Sequence, residues 1–247
     1  MTLSEFFTAH PKAALAFSGG TDSSYLLYEA KRCGANVRPY FIRSAFQPAF
    51  ELEDARRLCR ELGTELRVLE ADILSVRGVA ENPPDRCYLC KTALFTALWE
   101  AARADGYDAL LDGTNASDPE DERPGMRALR ELGVLSPLRL CGLSKADVRR
   151  RSAEAGLFTA AKPAYACLAT RVPAGETITP EKLRRVEQAE TGLFALGYSD
   201  LRVRLRGDNA LLQLPEAQLT RARAEWREIE SALGGLFEQV TLDPKGR

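Results

Sequence analysis

Short apolar runs alternate with amphipathic stretches along the first two thirds of the chain. Residues 13–17, 37–42, 66–71 and 109–111 read as strands, and 134–138 as a further one. Between them, 22–33, 50–62, 89–104 and 144–155 read as helices, with Leu26, Leu27 and Ala30 on one side of the first. Ser144 stands where it would cap the last of these. Strands separated by helices of this length predict βαβ units and a parallel sheet, hence an α/β fold. After Pro163 the rhythm changes to a loop rich in Ala, Pro and Gly that runs to about Pro180. A helix over 181–196, strands over 201–205 and 210–214 around Gly207-Asp208-Asn209, a helix over 216–233 and a strand over 237–242 follow. The expected organisation is a domain over 1–165 and a small α+β domain over 176–247.

Charge narrows the function classes. The 34 basic and 35 acidic side chains leave a net charge of −1, which gives no broad electrostatic case for gripping nucleic acid. The start, Met-Thr-Leu-Ser-Glu-Phe-Phe, is too short and polar for a signal peptide, and no apolar run is long enough to cross a membrane. A cytoplasmic location is expected, and six cysteines in such a chain do not suggest a disulfide framework. Cys33, Cys59 and Cys141 fall in or beside apolar patterns and read as buried small residues.

The chemistry begins at Ser18-Gly19-Gly20-Thr21-Asp22-Ser23, which follows a predicted buried strand and opens a helix. The glycines let the backbone turn sharply and approach a ligand closely. The N–H groups of the helix start, together with its dipole, favour an anion. Ser18, Thr21, Ser23 and Ser24 add hydroxyls, and Asp22 would repel phosphate unless a Mg²⁺ lies between them. A Walker lysine is missing, so a P-loop kinase is disfavoured. The plain alternative is a tight turn capped by Ser and Asp. The segment resembles the SGGxDS signature of the PP-loop, or N-type, ATP pyrophosphatases. That resemblance implies an adenine-nucleotide α-hydrolase-like, Rossmann-like fold and release of AMP and pyrophosphate from ATP.

Three further segments sharpen the resemblance: Asn82-Pro-Pro-Asp-Arg-Cys-Tyr-Leu-Cys-Lys91, Leu111-Asp-Gly-Thr-Asn115 with Asp118 after it, and Lys162-Pro-Ala-Tyr-Ala-Cys-Leu-Ala-Thr-Arg171. With the phosphate loop and the late Thr241-Leu-Asp, they are similar over nearly the whole chain to the LarE family, ATP-dependent sulfur transferases of nickel-pincer nucleotide biosynthesis. The resemblance implies a pyridinium-3,5-biscarboxylic acid mononucleotide as substrate, adenylation of a carboxylate, attack by sulfur and loss of AMP. It also implies a homo-oligomer. Well-known members sacrifice a cysteine, which ends as dehydroalanine, and Cys167 matches that position.

The residues themselves leave the sulfur source open. Cys167 lies in an Ala-rich loop between Lys162 and Arg171, which could lower its pKa. Cys87 and Cys90 form Cys-x-x-Cys, and with His10 the only histidine a tetrahedral zinc site lacks ligands. Three thiolates, Cys87, Cys90 and Cys167, suit a 4Fe–4S cluster with one open iron that could carry sulfide. A redox pair or packed thiols is the alternative. Asn115 and Asp118 follow a predicted strand end, where α/β sheets bind ligands, and are expected with Gly113 at ATP or Mg²⁺. Their plain reading is an Asx-capped loop. Arg202 and Arg204 alternate on a strand, face the same side and suit one phosphate, here the mononucleotide's; Glu190 is a further substrate or metal candidate. Three rivals remain: a PP-loop tRNA thiolase, a non-catalytic nucleotide sensor and an amidotransferase-type ATPase. The charge balance, the intact loop and the absence of any glutaminase resemblance argue against them in turn.

Overall fold

A computed structural model describes residues 1–119 and 124–247. The chain divides into two compact units. The first comprises Met1–Val79 and Asp85–Lys162, and the second Ala80–Pro84 and Pro163–Arg247. The five-residue excursion at 80–84 is tied into the second unit by backbone bonds from Ile178 N to Ala80 O and from Gly175 N to Asn82 O. No shift of composition announces it.

The first unit is built on a four-stranded parallel sheet in the order β3-β2-β1-β4. Strand β1 (Lys12–Ala16) lies centrally, with Ala13, Ala14 and Leu15 fully buried because both faces are covered. It pairs with β2 (Asn36–Arg43) on one side and β4 (Leu110–Leu111) on the other, and β3 (Arg67–Glu70) pairs with β2. The chain therefore leaves β1 in one direction and returns on its other side. That reversal makes the carboxyl ends of β1 and β4 a topological switch point, where open α/β sheets bind ligands. Helices α1 (Leu3–Ala9), α2 (Thr21–Arg32), α3 (Ala49–Glu61), α4 (Arg86–Ala104), α5 (Pro124–Glu131), α6 (Pro137–Leu140) and α7 (Lys145–Glu154) complete the unit. One apolar cluster gathers Phe6, Leu15, Leu26, Leu27, Leu58 and Val148, and a second gathers Ala14, Tyr40, Leu98 and Leu110. Cys59 is buried, which pushes its thiol up to about 12, while Cys33 and Cys141 pack at the edge of the core.

The second unit carries β5 (Arg202–Arg206), β6 (Asn209–Gln213) and β7 (Val240–Leu242), with β5 and β6 antiparallel and β6 and β7 parallel. Its core joins Leu193 of α8 (Pro180–Ala195) to Val203, Leu212, Leu219 of α9 (Glu216–Ala224) and Ile229 of α10 (Trp226–Ala232). The architecture is the expected α/β one.

Two local expectations need correction, and one helix stands where the pattern predicts none. The strand over 134–138 reduces to a single parallel bridge between Leu111 and Leu135, because Pro137 has no N–H for a ladder and opens α6 instead. The helix over 216–233 breaks at Glu225, whose carboxylate takes bonds from Arg221 and the Tyr198 hydroxyl. Helix α1 was not anticipated, although Thr2 and Glu5 form a full capping box at its start. No helix among the described residues is long and apolar enough to cross a membrane.

Candidate functional site

The turn from β1 into α2 delivers the phosphate-loop residues to the carboxyl edge of the sheet. Gly19 has φ +68°, and a Cβ there would stand 3.1 Å from both Ala55 N and Glu51 O, so α3 closes against this glycine. Helix α2 starts at Thr21 with Gly20 as its N-cap and no side-chain cap bond, which leaves its first N–H groups for an anion. The hydroxyls organise the loop itself. Ser18 Oγ lies 3.2 Å from Ser23 Oγ and accepts Gly20 N–H at 3.3 Å, and Ser23 Oγ donates to Gly20 O. Thr21 turns inward and donates to Thr159 O at 2.8 Å, pinning the 158–161 turn behind the loop.

The loop after β4 meets this turn. Asn115 Nδ2 donates to Asp22 Oδ1 at 3.4 Å, while Asn115 N donates to Asp118 Oδ2 at 3.1 Å. One residue thus links both candidate Mg²⁺ carboxylates. Ser117 N also donates to Asn115 Oδ1, the Asx turn expected of such a loop. Asp112 accepts from Ser136 Oγ, Thr114 N and the Thr114 hydroxyl, so it shapes the loop rather than facing the crevice. A Cβ on Gly113 would come within 2.9 Å of Ser23 N. Gly113→Ala is therefore expected to push into the first turn of α2. We expect it to lower stability by about 1–3 kcal/mol in thermal unfolding and to weaken ATP binding measurably.

Two lysines flank the loop. Lys162 Nζ lies 2.6 Å from Asp54 Oδ2 and donates to Gly19 O at 3.3 Å. Lys145 Nζ lies 2.5 Å from Asp22 Oδ2. Beside the loop, at the carboxyl ends of β1 and β2, is a pocket of 180 Å³ lined by Phe17, Ser18, Ile42, Gln47, Glu51 and Phe95, among others. Sequence reasoning missed Lys145, Asp54 and this pocket.

The cysteines are split between the units. Cys87 and Cys90 lie three residues apart in the first turn of α4, on one face, with Cys87 exposed and Cys90 half-buried. The buried Arg86 donates to Cys87 Sγ at 3.6 Å. Two thiols one turn apart, beside a guanidinium, suit two ligands of a thiolate-held cluster. Among the described residues no group of three or more His, Cys, Asp or Glu is gathered where it could hold a metal ion. Cys167, in the second unit, is half-buried and precedes the turn at Leu168–Arg171.

Arg171 acts on the backbone of the Cys167 loop. Its side chain is 0% exposed; it donates to Ala166 O at 2.7 Å and Cys167 O at 3.3 Å, and pairs with Glu190 at 2.8 Å. Glu190 also accepts Val203 N and the Tyr165 hydroxyl, so its oxygens are taken up inside the unit. Arg202 donates to Ala164 O, and Arg204 donates to Thr170 O and Gln213 Oε1. Burial, then the charges of Arg171 and Arg247, push Arg202 down to about 10, and Arg204 is lowered for the same reasons. Arg202 thus stays protonated near neutrality while crowded by like charge, an environment that an anion would stabilise.

No family model matches the chain. An uncharacterised protein of Synechocystis sp., slr1717, is 38% identical over 99% of the chain and 92% of its own length. The pyridinium-3,5-bisthiocarboxylic acid mononucleotide synthase of Lactiplantibacillus plantarum is 34% identical over 95% of the chain and 86% of its own length. The chain belongs to the LarE family. An uncharacterised protein of Methanocaldococcus jannaschii, MJ0830, is 30% identical over 88% of the chain and 83% of its own length. The Lactiplantibacillus plantarum relative is by name a synthase, and so an enzyme.

Proposed function

We propose that this LarE-family chain is an ATP-dependent sulfur transferase. It adenylates a carboxylate of pyridinium-3,5-biscarboxylic acid mononucleotide and replaces oxygen with sulfur. The observation that carries the reading is the uncapped α2 start beside Asp22 at the switch point of the sheet, in a chain related to a synthase of that product class. The pocket at Phe17 and Ile42 seats the nucleoside, and the α2 N–H groups and the Ser18 and Ser23 hydroxyls receive phosphate oxygens. Asp22 and Asp118, both linked through Asn115, would hold Mg²⁺, which neutralises charge on the triphosphate.

The substrate carboxylate oxygen attacks the α-phosphorus, and pyrophosphate leaves with the electron pair of the broken P–O bond. Sulfur then attacks the acyl carbon and AMP departs. A 4Fe–4S cluster on Cys87, Cys90 and Cys167 would supply that sulfur as sulfide. The alternative is transfer from Cys167 itself, whose loop Arg171 holds by its backbone carbonyls on either route. Arg171 and Glu190 position the loop, and Arg202 and Arg204 receive the mononucleotide phosphate. The family resemblance also supports a homo-oligomer.

Purified protein given ATP, Mg²⁺ and the dicarboxylate mononucleotide should release AMP and pyrophosphate and yield a thiocarboxylate identified by mass. ADP as product would overturn the reading. Arg202→Ala and Arg204→Ala should each weaken mononucleotide binding by about 10- to 100-fold, the worth of a charge-assisted bond, and leave ATP binding intact in calorimetry. Equal loss of ATP affinity would remove the phosphate from these arginines.

A further inference from the structure

We propose that Lys145 is the phosphate-contacting cation of the adenylation site, released from Asp22 as metal and nucleotide arrive. This rests on the adenylation reading above. The loop itself holds no lysine, yet two ammonium groups stand beside it with different partners. Lys162 is paired with Asp54, on α3, and with Gly19 O. Asp54 is not one of the carboxylates assigned to the metal, so metal binding leaves the charge of Lys162 compensated. Lys145 is paired with Asp22, the carboxylate that a divalent cation would take. Once the metal occupies Asp22, the ammonium loses its counter-charge at the place where phosphate oxygens arrive. The local charge of the pair plus metal then rises from neutral to doubly positive, which suits a triphosphate.

The geometry makes the exchange inexpensive. The side chains of Lys145 and Asp22 are 31% and 23% exposed, and a pair so open to solvent contributes little on its own. The base of the lysine is fixed. Lys145 is the first residue of α7, whose start is closed by the Ser144–Asp147 capping box, and its N–H donates to Ser117 Oγ at 3.0 Å. Its four-carbon stem leaves the tip free to change partner. When the carboxylate attacks the α-phosphorus, the electron pair of the breaking bond goes to pyrophosphate. A cation that meets the growing charge there lowers the barrier more than it stabilises bound ATP.

The test uses Lys145→Met and Lys145→Arg in the full chain, with inorganic pyrophosphate as the calorimetric probe, with and without Mg²⁺. Lys145→Met should weaken Mg²⁺–pyrophosphate binding by about 10- to 100-fold. It should slow AMP formation without raising the Mg²⁺ concentration needed for half-maximal rate, since a competitor for Asp22 is gone. Lys145→Arg should recover most of the pyrophosphate affinity. If Lys145 only orients Asp22, Lys145→Met will raise the Mg²⁺ requirement and leave metal-free pyrophosphate binding unaltered, and the proposal falls. Wild-type pyrophosphate affinity in Lys145→Met overturns it as well. Lys145→Gln carries the same expectations should the Met variant not fold. Failure of the wild type to form AMP from ATP would instead sink the adenylation reading, independently of these affinities.

Discussion

Asp22→Ala should leave a folded protein that no longer forms AMP and pyrophosphate, with a rate loss of about 1000-fold, the scale of losing several kcal/mol of metal stabilisation. The stability cost should be small. Asp22 sits in the first turn of α2, where an acidic residue contributes about 0.3–1 kcal/mol against the helix dipole. Its pair with Lys145 is partly solvated and adds little more. Function and fold therefore separate at this residue, and thermal unfolding beside a pyrophosphate-release assay reads both. Asp22→Asn gives a sharper version. It keeps the shape of the side chain but lacks the charge that anchors Mg²⁺, so its loss should match that of the alanine variant. Normal turnover in either variant would mean that the turn after β1 is not the nucleotide site.

Where the sequence was legible, the determinants were local. The buried strand, two glycines, hydroxyls and helix start of residues 13–33 are contiguous, so the strand–turn–helix of the candidate phosphate loop could be read without knowing the fold. The alternation of Arg202 and Arg204 likewise placed both on one strand face. What could not be read depends on distant partners. Lys145 is 123 residues from Asp22, and nothing in its own surroundings distinguishes it from any first-turn lysine. The pocket draws residues from β1, β2, α3 and α4, which only the sheet order brings together. Glu190 shows the same limit: it lies 1% exposed among Arg171, Tyr165 and the Val203 N–H, partners that no local pattern names. The false strand over 134–138 arose because apolar residues outweighed Pro137, which decides the local backbone.

Anaerobic reconstitution with iron and sulfide should give a brown protein with about four irons per chain, as expected for a cubane held by three thiolates. The motive is the pairing of Cys87 and Cys90 on one face of α4 together with the loop that carries Cys167. Removing any one of the three leaves two thiolates, which hold a cubane poorly, so Cys87→Ala, Cys90→Ala and Cys167→Ala should each lower iron content and absorbance. The two sulfur sources then part by mass. Delivery of cluster-bound sulfide leaves the polypeptide mass constant, and turnover continues when sulfide is added. Sacrifice of Cys167 breaks its Cβ–S bond and leaves dehydroalanine, so one turnover removes the elements of H₂S, roughly 34 Da, because the reactive thiolate belongs to that residue. In that case Cys87→Ala retains a full single turnover. Arg171 bears on both routes, since it holds the Ala166 and Cys167 carbonyls and is itself held by Glu190. A colourless protein that completes one turnover and loses one sulfur atom would remove the cluster from the mechanism and leave Cys167 as the donor.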